Sequence, residues 1–511
     1  MSNFAFLQTE WPLVFEAAHR AEASAHSDAR AACFYARRAL ELAVTWLYTH
    51  DKTFKLPYQD NLNALIYEPS FRTGVGDALF TKARLIKDLG NQAVHSTKKV
   101  AASDALSATR ELFHFGYWLA RTYGRSGRPE PGLGFKAELL LKPAEPSTPQ
   151  TAEQLQKLAA QLHEKDQKLA DVLASKAALD AELQKLREEV AAAKKANSAQ
   201  PDTHDYSEAE TRKAFIDLLL KEAGWALNPA KNFEVEVVGM PNAENKGFVD
   251  YVLWGDDGKP LMLVEAKRTT KSATVGQQQA KLYADCLEAM YGQRPVIFYS
   301  NGYEHWIWDD RMYAPRAVQG FYKKQELELL VQRRSSRKAL GQTVLNSKIV
   351  ERHYQTRAVR RVGASFEGDK ARKSLLVMAT GAGKTRTAVA LADLLMRANW
   401  VKRVLFLDDR VALVNQAVNA FKAHLPDAAP VNLVTDKYTE GRVFVSTYPT
   451  MMRLIDEAHD GQRRFGVGHF DLIVIDEAHR SVYQRYGAIF EYFDSLLVGD
   501  RKSTRLNSSH G

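Results

Sequence analysis

At 511 residues, with 45% hydrophobic and 26% charged residues, the chain has an ordinary globular balance and room for about three or four domains, each with its own core. Its formal charge of +9 favours an anionic partner, nucleic acid first, while two cysteines (Cys33 and Cys286) exclude a disulfide framework or a Cys-rich zinc site and suit the cytosol. The start, MSNFAFLQTEWPLVFEAAH, lacks the basic and long apolar regions of a signal peptide, and no apolar run reaches membrane-spanning length, so a cytoplasmic protein with no membrane partner is expected.

Residues 1–125 read as helices. Ala29–Leu47 places apolar residues at helical spacing around an Arg-Arg pair, and Thr81–Val94 and Ala101–Tyr123 continue the pattern. The stretch resembles the helical DUF4145 domain, related to the HEPN group. Asn91 and His95 match the N-x₃-H of HEPN ribonucleases, but Gly90 stands where that motif has Arg. The resemblance therefore implies a packing or interaction module, with a ribonuclease as the alternative. Residues 126–151, rich in Gly and Pro, read as a linker.

Residues 152–196 carry a heptad seam: Leu155, Leu162, Leu169, Leu183 and Val190 on one position, Leu158, Val172, Leu179 and Leu186 on the other. A coiled coil or helical spacer is expected; an amphipathic helix packed on a neighbour is the alternative.

Residues 206–310 hold the first chemical site. A helix carrying Glu210 precedes an extended stretch, a strand expected to end in Asp250 (GFVDYVLW) and a strand, Pro260–Lys267, ending in Glu265-Ala266-Lys267. Strand alternation puts Glu265 and Lys267 on one face, where Asp250 and Glu265 would hold Mg²⁺ and Lys267 would position the attacking water or offset developing charge. Gln279 and Tyr283 form a Q-x₃-Y on the next helix. Alone, E-x-K also fits surface charge on a half-exposed strand. Residues 311–371 read as a basic helical connector, in which Arg333, Arg334, Arg337 and Lys338 are either a solvated face or phosphate contacts.

Residues 372–499 hold the second site. The apolar run Leu375–Met378 enters Ala379-Thr380-Gly381-Ala382-Gly383-Lys384-Thr385, and an amphipathic helix follows. Strand, Gly-rich turn and helix N-terminus form the arrangement that cradles nucleotide phosphates on backbone N–H groups, with Lys384 supplying charge and the Thr385 hydroxyl ligating Mg²⁺. About ninety residues on, the apolar run Leu472–Ile475 ends in Asp476 and Glu477, suited to holding Mg²⁺ and to orienting water. A second DEAH, at Asp456–His459, lacks an apolar strand and reads as a helical coincidence.

ATGAGKT and DEAH together resemble motifs I and II of superfamily 2 helicases and translocases. Tyr354-Gln355 is similar to the upstream element in which a Gln reads adenine, Asp409-Arg410 to motif Ia, and Val445–Thr450 to motif Ib along the DNA track. Helix–strands–helix with D…E-x-K and Q-x₃-Y resembles the PD-(D/E)xK nuclease fold. The two in succession, over about 206–499, resemble the R subunit of type I restriction–modification enzymes.

That resemblance implies a multidomain α plus α/β protein: helical domain, coiled coil, nuclease-like domain and first RecA-like lobe with a P-loop parallel sheet. It implies ATP and Mg²⁺ as cofactors. Double-stranded DNA and the modification (methyltransferase) and specificity subunits are the implied partners, in phage defence. The implied activity is an ATP-dependent endonuclease and translocase acting on unmodified foreign DNA. A defence-type helicase with an inactive nuclease fold, or a non-catalytic assembly fragment, are the alternatives. Residues 500–511 (DRKSTRLNSSHG) replace the family's motif III and are expected to be an artefactual tail on a C-terminally truncated chain lacking ATP-driven translocation.

Overall fold

The computed structural model describes residues 2–57, 61–96, 99–125, 128–140, 150–174, 177–198, 209–266, 276–302, 304–379, 381–436, 440–455, 457–459, 462–476, 478 and 480–502. The chain folds as two compact units, formed chiefly by residues up to Leu218 and from Leu219 onward.

The first unit is helical. Its long helices are Pro12–Ser24, Ala29–His50, Asp77–His95 and Ala102–Tyr123, with two short ones, Leu62–Tyr67 and Pro69–Val75. Asp28 caps the second by accepting from the Ala31 N–H at 3.0 Å, which satisfies one of the donors a helix start leaves open. The expected periodicity is realised there, with Leu40, Val44 and Leu47 fully buried. A Cβ on Gly90 would lie 2.3 Å from the Arg37 Cβ, so a glycine at this position is what lets the two helices approach.

A charged cluster unannounced by the sequence pattern lies inside this unit. Lys82 Nζ stands 2.5 Å from Glu111, and His114 Nδ1 stands 3.2 Å from the same oxygen, all three fully or almost fully buried. Burial alone would raise the Glu111 carboxyl, but Lys82 and His114 outweigh it and hold it well below the usual carboxylate range.

The linker and the seam both differ from expectation. Residues of the linker are pinned to the helices: Tyr117 Oη donates to the Glu130 carbonyl at 3.1 Å and Asn3 Nδ2 to the Lys136 carbonyl at 3.0 Å. The expected coiled coil is two helices, Ala152–Ala174 and Ala177–Ser198. They lie against the helical unit, because their apolar positions find partners there. Leu155 packs fully buried with Phe34 and Val94, and Val190 is also buried. Arg187 Nε donates to the Thr49 carbonyl at 2.8 Å, and Lys194 Nζ to Asp51 at 2.6 Å.

The second unit contains two six-stranded sheets. The first runs in order β1 (Phe233–Val238), β2 (Lys246–Trp254), β3 (Pro260–Ala266), β4 (Val296–Ser300), β5 (His305–Trp308), β6 (Arg316–Val318). Only β3 and β4 pair parallel, joined by helix Gln277–Tyr291, which packs on the sheet. All five residues of β4, and all of β3 except its last, are buried, as apolar runs covered on both faces should be. Since β6 completes the sheet, this α/β segment extends beyond the expected boundary at 310.

The second sheet orders its strands as Lys373–Met378, Leu496–Lys502, Leu472–Ile475, Val404–Asp408, Val443–Thr447 and Pro430–Asn432, each neighbouring pair parallel. Helices Lys384–Arg397 and Val411–His424 contribute to its core with Leu391, Leu395, Val414 and Phe421. Lys373–Met378 is an edge strand, which leaves Leu375 and Val377 56% and 58% exposed despite their apolar character. The final strand continues past the expected limit at Gly499: Asp500, Arg501 and Lys502 pair with Leu376, Val377 and Met378. Residues 503–511 of the expected tail lie outside the described residues.

The connector's arginines are neither a solvated face nor open to phosphate as a row. On helix Lys324–Ser336, Arg333 forms a bidentate pair with Asp471 (2.5 and 2.9 Å), and Arg334 binds Asp309 at 3.0 Å. Arg316 and Arg372 both bind Asp494, at 2.5–2.7 Å and 2.6 Å. Burial would raise the Asp494 carboxyl, but the two guanidinium groups hold it well below its ordinary range. These pairs join the end of the first sheet to the second.

Candidate nucleotide and carboxylate sites

The candidate nucleotide site forms where the edge strand Lys373–Met378 meets helix Lys384–Arg397. Gly381 and Gly383 take φ of 77° and 80°, the left-handed region open to glycine, which turns the chain tightly before the helix N-terminus. Lys384 opens the helix with its Nζ 3.6 Å from Asp500, a carboxylate with which a bound phosphate would compete. Thr385 follows in the first turn, half-buried. Gln355, expected to read adenine, is buried and donates its amide to the Ala382 carbonyl at 3.0 Å; Tyr354 Oη donates to the same oxygen at 3.2 Å. Thr380 and Glu477 lie outside the described residues.

Asp476 ends the strand Leu472–Ile475, two strands from the loop in the same sheet. Its N–H donates to the Leu407 carbonyl at 3.0 Å, and its carbonyl accepts from Tyr448 Oη at 2.8 Å, so the backbone that carries the carboxylate is held from both sides. Asp408, at the end of the adjacent strand, was not singled out from the sequence. Burial and the neighbouring Asp476 carboxylate push its carboxyl up to about 7. The signal was present: VLFLD repeats the pattern of LIVID, an apolar run ending in Asp. The expected motif Ia residues Asp409 and Arg410 are exposed, and the second DEAH falls beyond helix Tyr448–Leu454, not within it; Asp456 lies outside the described residues.

The carboxylate site forms on β2 and β3. Tyr251 pairs with Val264 in the antiparallel ladder, so the next step sets Asp250 against Glu265. Asp250 Oδ2 accepts from the Ala266 N–H at 2.6 Å, which ties the side chain to the end of β3. Glu265 is 3% exposed, and Leu263, two residues earlier on the same face, lies in the core beneath helix Gln277–Tyr291 with Tyr283. On that helix Gln279 Nε2 donates to Tyr283 Oη at 2.7 Å. Lys267 lies outside the described residues, as does the side chain of Glu210 on helix Ala209–Glu222.

Both carboxylate sets offer hard oxygen donors of the kind Mg²⁺ takes. At the candidate nucleotide site, burial and Asp476 push the Asp408 carboxyl up to about 7, a repulsion that a dication would offset. Among the described residues no group of three or more His, Cys, Asp and Glu side chains is placed to hold a metal alone, so the remaining ligands would come from phosphate, water or the residues not described. No helix among the described residues is long and apolar enough to cross a membrane.

Three family models match the chain in succession. Residues 19–126 match a domain of unknown function, DUF4145. Residues 207–319 match the type I restriction enzyme R protein N terminus, a span that takes in β6. Residues 348–499 match the type III restriction enzyme res subunit model, ResIII. The EcoKI type I restriction enzyme endonuclease subunit of Escherichia coli K12 is 27% identical over 347 residues, covering 54% of this chain and 29% of the relative. The EcoAI endonuclease subunit of Escherichia coli is 31% identical over 273 residues, covering 48% of this chain and 32% of the relative. The chain thus spans under a third of the length of these curated relatives. A fragment structure assigned to an HsdR subunit of a type I restriction enzyme from Vibrio vulnificus YJ016 is 25% identical, covering 58% of this chain and 55% of that one; its TM-score of 0.23 carries no argument about the fold. By the order of the three matched segments and by the two relatives, the chain is similar to the R subunits of type I restriction enzymes, with a DUF4145-matching segment ahead of the R-subunit-like segments.

Proposed function

We propose that the chain carries the nuclease domain and the first RecA-like ATP-binding lobe of a type I R subunit, an ATP-dependent translocase and Mg²⁺-dependent endonuclease. It would act on unmodified foreign double-stranded DNA with modification and specificity subunits. The observation that carries the reading is that one compact unit holds both a glycine-turned loop and a strand-end aspartate on one parallel sheet, and an Asp250–Glu265 pair on adjacent strands of a separate sheet.

In the nucleotide site the loop N–H groups and Lys384 would bind the phosphates, and Thr385 and Asp476 would hold Mg²⁺, with Asp408 behind them. Glu477 would orient water, and Gln355 with Tyr354 would fix the loop from within. In the nuclease site Asp250 and Glu265 would hold Mg²⁺, which supplies polarisation of a phosphodiester and a more acidic bound water. Lys267 would position that water, while Gln279 and Tyr283, joined to each other, would orient the strand of DNA.

Nicking of supercoiled DNA by the purified chain in Mg²⁺, compared with chelator, tests the nuclease assignment. Asp250→Asn and Lys267→Ala should both lose Mg²⁺-dependent nicking while Mg²⁺–ATP binding persists. Wild-type nicking by both variants would refute it.

A further inference from the structure

The two sheets of the second unit enclose a cavity of about 50 Å³ that neither site uses. Arg372, Asp471 and Asp494 line it, and each precedes a strand of the parallel sheet. The cavity therefore lies at the N-terminal edge of that sheet, whereas the phosphate loop lies at its C-terminal edge. A strand of five or six residues separates them by roughly 17–20 Å.

Three guanidinium groups converge on one ring at the cavity: Arg316, Arg337 and Arg372 have their Cζ atoms 5.6, 5.7 and 5.1 Å from the centre of Tyr313. Arg337 also stacks on Trp400 at 4.5 Å. Among the described residues its one side-chain hydrogen bond is a long one, 3.5 Å to Tyr313 Oη, and no carboxylate there pairs with it. Four arginines (316, 333, 337 and 372) line the cavity with three aspartates (309, 471 and 494), an excess of one positive charge. The remaining acid, Glu326, is pushed up to about 7 by burial and offsets little of that excess below neutrality.

Donors are also left over. Among the described residues, Arg316 Nη1, Arg333 Nε and Arg337 Nε are buried with no hydrogen-bond partner. A buried donor without a partner costs free energy, and guanidinium N–H groups pair most strongly with planar or tetrahedral oxyanions.

We propose that this cavity binds a small oxyanion of the phosphate class, held by Arg337 and Arg316 beside the Tyr313 ring. The same chemistry is offered by free inorganic phosphate and by a phosphate group of nucleic acid. Either would complete the orphaned donors and balance the excess charge where the nuclease-like sheet meets the motor sheet.

Equilibrium dialysis with labelled inorganic phosphate tests this on the full chain carrying Lys384→Ala, which silences the phosphate loop. One phosphate per chain should remain bound, displaced by sulfate but not by chloride at equal ionic strength, and should disappear when Arg337→Gln is added. Absence of binding in Lys384→Ala, or binding unchanged by Arg337→Gln, would overturn the proposal. If circular dichroism shows that Arg337→Gln does not fold, Arg337→Lys keeps the charge on Trp400 and loses the fork. It should weaken binding severalfold, and unchanged binding there overturns the proposal equally. Competition by a 5′-phosphorylated oligonucleotide and its unphosphorylated twin separates the sources. Displacement by both assigns a backbone phosphate, by the first alone a terminal phosphate, and by neither the free ion.

Discussion

The side-chain amide of Gln355 donates to the carbonyl of Ala382 at 3.0 Å, so a helix 27 positions upstream braces the phosphate loop directly. The neighbouring Gly383 is fixed on two counts. Its φ of 80° is left-handed, and a Cβ there would stand 2.5 Å from Gln355 Nε2.

Gly383→Ala should therefore abolish Mg²⁺–ATP binding and cost about 1–2 kcal/mol of stability from the left-handed conformation alone. Gln355→Ala should weaken binding without that backbone cost. Calorimetric titration with thermal melts of both variants checks the difference; a Gly383→Ala protein that binds normally would show the loop to be unconstrained.

Glu326 gives a pH dependence. It is buried against Gly466 and Gly468, and burial pushes its carboxyl from an ordinary 4.5 up to about 7. Below pH 4.5 it is protonated folded or unfolded. Between there and pH 7 the unfolded chain ionises while the folded one keeps its proton, so stability falls as pH rises. The loss is complete above 7 and amounts to about 3 kcal/mol. Glu326→Gln should flatten that fall and melt higher than wild type at pH 8. Parallel profiles for the two proteins between pH 5 and 8 would contradict it.

The placement of the two helices of residues 152–198 separates packing from self-association. Leu155 is fully buried against Phe34 and Val94, so Leu155→Ala should cost about 2–5 kcal/mol in the denaturant melt of the helical unit. A seam used between chains would instead change the oligomeric state in sedimentation and leave that melt alone.

The helical unit is predicted not to cleave RNA. Gly90 occupies the position of the ribonuclease arginine, and the Arg37 side chain fills the space a side chain there would need. Gly90→Arg should destabilise the unit rather than create an enzyme, by about 1–3 kcal/mol or more for overpacking. Metal-independent RNA cleavage that vanishes in His95→Ala would contradict the prediction.

The features legible in the sequence are those whose cause is local. Leu375–Met378 with Gly381 and Gly383, and Leu472–Ile475 with Asp476, each write strand, turn and charge within a dozen residues, and the fold places them as read. The carboxylate pair was legible because period-2 alternation and a short hairpin bring Asp250 and Glu265 together. What was not legible depends on partners far along the chain. Arg333 meets Asp471 138 positions away, and Arg316 meets Asp494 178 positions away, so neither sequence neighbourhood identifies the arginine as internal. Heptad spacing was present in residues 152–196, but periodicity states only that a helix has an apolar face. It does not say whether Phe34 and Val94 or a second chain covers it.

Magnesium-dependent ATP binding tests the account most directly, because the proposed hydrolysis and translocation would both depend on it. Calorimetric titration of the wild-type chain should show one Mg²⁺-dependent ATP site, lost in Lys384→Ala and strongly weakened in Asp476→Ala, with Asp250→Asn unaffected. Undiminished binding by Lys384→Ala, or loss of ATP binding in Asp250→Asn, would contradict the assignment of two separate sites to one chain.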